Sequence, residues 1–205
     1  MTIKEFGGKV ASIWEGLRPV TKKMLVGAMD AGTGETHAPQ SPRHYYDAHA
    51  DWEVSRLLSA LDEQSITSET RKDAAKLNEI KELAETCARV LEAQSASAEV
   101  FIQLATRAIK DNDYRRLDRL ADTLTERYSA TEVAEIVRQT EMPQIRAIAY
   151  ETLAMMPVGA IVPLLDDPLY SGIGAGALEQ KAFEFDSDEA RDVLDQYDNG
   201  QIGEA

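Results

Sequence analysis

The three histidines of this 205-residue chain fall within thirteen positions: His37, His44 and His49. Two of them bracket a carboxylate in His44-Tyr-Tyr-Asp47-Ala-His49-Ala-Asp51. Two imidazoles and a carboxylate form a ligand set for zinc, iron or manganese. His44, Asp47 and His49 are therefore candidate metal ligands, with His37 in reserve, and the chemistry would be that of a metal-dependent enzyme. The spacing sets a condition on this reading. On a helix, positions five apart diverge by more than a quarter turn, so one of the two histidines must come from a loop. The competing reading is a polar linker running into a helix start, with the imidazoles in water. No motif implies an organic cofactor. Gly172-Ile-Gly174-Ala-Gly176 follows no strand pattern and is not followed by Lys-Ser/Thr, so it supports neither dinucleotide nor Walker-type phosphate binding. Close helix packing or a turn explains those glycines.

Two other groups of residues suggest recognition. Arg115 and Arg119 are four apart and share a helix face, where they can hold an acidic partner or a phosphate. Interleaved acids such as Asp118 and Asp122 offer local ion pairing instead. Near the start, Phe6, Val10, Ile13 and Leu17 lie on one apolar seam with Trp14 beside it, among Lys4, Lys9, Arg18, Lys22 and Lys23. An amphipathic arm of this kind fits a partner's groove, an anionic membrane surface, or the open face of its own first hairpin. The docking reading expects removal of residues 1–30 to abolish complex formation without unfolding the remainder.

The elements that must position these residues read as helices throughout. Spacings of three and four run through Ile3, Phe6, Val10, Ile13, Leu17, Val20 and Met24, with a restart near Pro19. Gly, Pro and Thr dominate the stretch after residue 30, which reads as a linker. Helical pattern returns near Asp47. Val54, Leu57, Leu58 and Leu61 form one face, and Thr67 or Ser68 is placed to cap a second helix carrying Leu77, Ile80, Ala84, Cys87 and Leu91. Ser97 starts the next helix. Ser129 and Glu132 read as a capping box, Pro143 as a first-turn proline, and Ser187 as the cap of the last helix. The expected organisation is an arm over 1–29, a linker over 30–46, a helical region over 47–100, a repeat region over 101–198 and a tail over 199–205.

Composition narrows the function. The net charge is −14, with 36 acidic against 22 basic residues. Residues 147–205 hold twelve acids and only Lys181 and Arg191, while residues 1–46 hold six basic and four acidic residues. Nucleic-acid binding is not expected, since gripping phosphates requires clustered positive charge. An acidic surface favours partners with basic surfaces. The single cysteine, Cys87, excludes an internal disulfide framework. The longest uncharged run, Thr152 to Leu165, contains two prolines and is too short to span a bilayer. A cytoplasmic protein is expected.

A shift of about 28 residues superposes the helical segments of the second half. Leu117, Leu120 and Ala121 move onto Ile145, Ile148 and Ala149, and Val133, Ile136 and Val137 move onto Ile161, Leu164 and Leu165. Within this region, Met142-Pro143-Gln144-Ile145-Arg146, followed by Ala149, Thr152 and Leu153, resembles the second helix of a HEAT repeat. The run from Ala160 to Pro168 resembles a first helix and its turn. Met142 stands where the family favours Asp, and Gly174 where the next copy would carry Arg. The resemblance implies an all-α fold of stacked helical hairpins, a short HEAT-like α-solenoid, and a function in binding other proteins. The expected function is thus a non-catalytic adaptor or structural subunit that binds protein partners through the repeat surface and the N-terminal arm. The alternatives are a metal-dependent enzyme built on the histidine cluster, and a structural component of a virion or large multi-subunit assembly.

Overall fold

The computed structural model describes residues 3–32 and 46–200, and divides the chain between Ser95 and Ala96 into two units. Among the described residues all regular structure is helical: eleven α-helices and three short 3-10 segments. None of these helices is long and apolar enough to cross a membrane.

The first unit begins with a 3-10 turn, Ile3–Phe6, followed by α1 (Gly8–Gly16) and α2 (Pro19–Gly32). Gly7 joins the turn to α1 at φ +126°, a left-handed conformation that side chains resist, and a β-carbon there would lie 2.6 Å from Gln64 Oε1. Leu17 is extended and Pro19 takes the first position of α2, as its fixed φ and missing N–H favour. Helices α3 (Ala48–Ser65) and α4 (Ala74–Gln94) pack together, with α1 on α3 and α2 on both. Asp73 caps α4 by accepting from the Lys76 amide. Thr67, which the sequence suggested for this role, instead hydrogen-bonds with Thr70 and Gln64 in the turn before it.

The arm is not separate from this unit. Phe6, Val10, Ile13, Leu17 and Leu25 are buried, in one core with Val54, Leu57, Leu58 and Leu61 of α3 and Ile80, Leu83, Cys87 and Leu91 of α4. Each such side chain contributes about 1.5–3 kcal/mol through burial. Of the three covers the sequence left open for the arm, a partner groove, a membrane surface or its own chain, the structure has its own chain: the apolar seam of α1 and the apolar face of α3 satisfy each other.

The second unit is a series of helices: α5 (Ala98–Lys110), α6 (Tyr114–Arg127), α7 (Ala130–Gln139), α8 (Pro143–Met155), the four-residue α9 (Val158–Ile161), α10 (Ser171–Glu184) and α11 (Asp188–Asp198). Helix α5 packs on α6 and α7, α6 on α8, α7 on α8, α8 on α10, and α10 on α11. Side-chain caps set three of these seven starts: Asp113 accepts from the Arg116 amide, Ser129 from Glu132 and Ser187 from Ala190. The expected capping box is only half formed. The Glu132 carboxylate does not turn back to Ser129 but accepts from the Ala98 amide at 2.9 Å, tying α7 to the first turn of α5. The glycine run from Gly172 lies inside α10. A β-carbon on Gly174 would approach the Leu164 Cβ to 3.0 Å, so glycine there permits close packing of α10 on the Val162–Leu164 turn.

Candidate functional site

The most developed polar cluster of the first unit forms where α1 hands over to α2. Arg18 occupies that junction, and its carbonyl accepts the first bond of α2 from Lys22. Its amide donates to Glu53 Oε1 at 2.7 Å and its Nε to Glu53 Oε2 at 3.0 Å. Its two terminal nitrogens donate to Asp47 at 2.9 and 2.7 Å, the paired geometry that suits guanidinium and carboxylate. Asp47 also caps α3, accepting from the Ala50 amide at 2.8 Å. Thr21, itself buried, donates its hydroxyl to Glu53.

The electrostatics follow. The Glu53 side chain is 2% exposed. Burial alone would raise its carboxyl pKa, but bonds from Thr21 and from the Arg18 amide and guanidinium outweigh that and hold it below the usual range. Hydrogen bonds from Arg18, then from the Ala50 amide, hold Asp47 far below the ordinary carboxylate value. Hydrogen bonds from Asp47 and Glu53 raise Arg18 in turn.

Beside this cluster lies a cleft of about 190 Å³ lined by Ser12, Ile13, Gly16, Leu17, Trp52, Glu53 and Arg56. Trp52 is exposed; the Arg56 guanidinium sits 5.1 Å from its ring centre, and His49 meets it edge-on at 5.8 Å. Glu53 faces the cleft with both oxygens occupied by Arg18 and Thr21, so the cleft offers a flat aromatic wall rather than a reactive carboxylate.

The predicted metal ligands divide. His37 and His44 lie outside the described residues. His49 is exposed on the first turn of α3, with Nε2 4.0 Å from Glu53 Oε1. Asp47 is engaged by Arg18 and the α3 amide, and among the described residues no three His, Cys, Asp or Glu side chains gather around a possible ion. The predicted partner-binding residues also divide. Phe6, Val10, Ile13 and Leu17 are core residues rather than an exposed face, and Trp14 is half-buried. Arg115 and Arg119 stand exposed on one face of α6.

Sequence reasoning missed two features of the second unit. The first is a polar cluster. Glu135 accepts from Arg138 Nε at 2.6 Å, from Gln139 Nε2 at 2.5 Å and from the Tyr170 hydroxyl at 2.9 Å, which ties α7 to the start of α10. The hydrogen bonds from Arg138 lead in holding the Glu135 carboxyl down to about 2, against the opposing effect of burial. The second is apolar exposure: Phe183 is 90% exposed, and Leu169, Phe185 and Met155 are also exposed. The Phe183 signal was present in the sequence, since Phe183 falls off the Ala177, Leu178 and Ala182 stripe that α10 buries.

No protein-family model, curated protein or solved structure matches this chain.

Proposed function

We propose that the protein is a non-catalytic adaptor or structural subunit, and that its second unit is a short HEAT-like α-solenoid presenting a preformed helical surface to a protein partner. The observation that carries this reading is the stacking order. The hairpins α5–α6 and α7–α8 pack first helix on first helix and second on second, and α10 continues the second row on α8. Two pairs of helix starts support it with a step of 28 residues, from Ala130 to Val158 and from Pro143 to Ser171, and the first hairpin stands 32 and 29 residues before the second, from Ala98 to Ala130 and from Tyr114 to Pro143. Units of this kind bury their apolar faces only by stacking on neighbours, which leaves rigid outer surfaces free for binding. The acidic surplus of residues 147–205 favours a partner with a basic surface.

The test is affinity capture of the full chain from its native source, followed by reconstitution of the purified pair and measurement of its stoichiometry. A defined complex is expected. Failure to obtain any stoichiometric complex overturns the reading.

A further inference from the structure

We infer that the turn between α10 and α11 is a docking point for a segment of a partner protein that carries Lys or Arg beside apolar side chains. The inference rests on the adaptor reading above and names the surface used. Phe183 projects from the last turn of α10 at 90% exposure, and Phe185, two residues on, is 50% exposed. Isolated exposed apolar residues are common, but two exposed phenylalanines two residues apart concentrate apolar area at the end of one helix. The neighbouring helix is also incompletely covered. Val193, Leu194 and Tyr197 of α11 are only half-buried, whereas Val133, Ile136 and Val137 of α7 are buried.

Charge decides the occupant. Glu179, one helical turn before Phe183, and Glu184, beside it, are exposed. The two cations of this region are engaged locally. Lys181 donates to the Ala154 carbonyl at 2.9 Å and lies 5.7 Å from the Phe185 ring centre. Arg191 is held by Asp186, Asp188 and the Ala182 carbonyl. Aromatic anchors rimmed by acids complement a basic, partly apolar segment. A second copy of this chain would set Glu179 and Glu184 against their like, which disfavours self-association through this turn.

The probe is a synthetic amphipathic peptide of about 18 residues, long enough to form a helix, with leucines on one face and lysines flanking them. Its control carries glutamates in place of the lysines. Binding to the full chain is followed by fluorescence anisotropy at low and high salt. The lysine peptide should bind, weaken with salt, and bind Phe183→Ser about tenfold or more weakly, as expected for loss of an aromatic anchor. Phe183→Ser should fold normally because the side chain is exposed. Absence of binding, equal binding to Phe183→Ser, or equal binding of the glutamate peptide overturns the inference. A wild-type dimer in sedimentation that Phe183→Ser abolishes also overturns it, in favour of a second copy. Retention by Phe183→Ser of the partner captured from the native source leaves the adaptor reading standing and removes this one.

Discussion

Arg18 binds Glu53 twice, through its backbone amide and through its side chain, and so fixes the corner between α1 and α2 onto the second turn of α3. The guanidinium also reaches Asp47 at the start of α3. One residue therefore sets both the direction of the chain at Pro19 and the position of α3 beneath it.

Removing the guanidinium leaves the nearly buried Glu53 carboxylate without its countercharge, the circumstance in which a buried pair is most damaging to break. Arg18→Ala should lower the thermal midpoint of the first unit and increase hydrogen exchange across α1 and α2. Thr21→Val should do less, about 1 kcal/mol for one lost hydrogen bond. A neutral pair, Arg18→Met with Glu53→Gln, should recover part of the loss. Equal stability of Arg18→Ala and wild type would show that the corner is held by packing alone.

Phe6 is buried to 2% exposure in the core shared with α3 and α4. Phe6→Ala should cost about 3–5 kcal/mol, within the range for deleting a core aromatic. Deleting residues 1–30 should accordingly expose the apolar face of α3 and disrupt the first unit, measurable as lost protection in α3 and α4. Native-like protection there after deletion would restore the picture of a detachable arm.

Glu135 links Arg138, Gln139 and Tyr170 with its carboxyl held down to about 2, against an ordinary value of 4.5. A carboxyl with a depressed pKa in the folded state contributes stability above its unfolded value and loses it as pH falls toward the folded value. The α7–α10 contact should therefore weaken progressively between about pH 4.5 and pH 2. Glu135→Gln should flatten that part of the acid profile of α10 exchange, while Tyr170→Phe should reduce it less. An unchanged profile in Glu135→Gln would assign the acid sensitivity to other carboxylates.

Gly174 and Gly176 should respond oppositely to alanine. A β-carbon on Gly174 meets Leu164 at 3.0 Å, so Gly174→Ala should destabilise the second unit by about 1–3 kcal/mol through overpacking. At Gly176 the new carbon would make an ordinary 3.6 Å contact with Tyr150, and the gain in helix propensity of about 0.5–1 kcal/mol should dominate. Thermal unfolding of both variants distinguishes the two effects.

Local chemistry determined much of this molecule. Period, caps and breakers are read from neighbours in the chain, so the helical class, the restart at Pro19, and the caps Ser129 and Ser187 were legible without coordinates. At the glycine run, neighbours in the chain argued against phosphate chemistry but left close packing and a turn both open, and only the approach of Gly174 to Leu164 decided for packing there. The destination of a side chain across space was not legible in the same way. An apolar seam such as Phe6, Val10, Ile13 and Leu17 has the same pattern whether a partner or its own chain covers it, and only tertiary contact with α3 decided between them. Glu132 has the right offset for a capping box, yet the nearby Ala98 amide receives its carboxylate. Arg18 read as one cation among several until the fold brought Asp47 and Glu53 within reach, about thirty residues away in sequence. Periodicity identifies which face of a helix is apolar; which neighbour lies on that face depends on packing between segments remote in the chain.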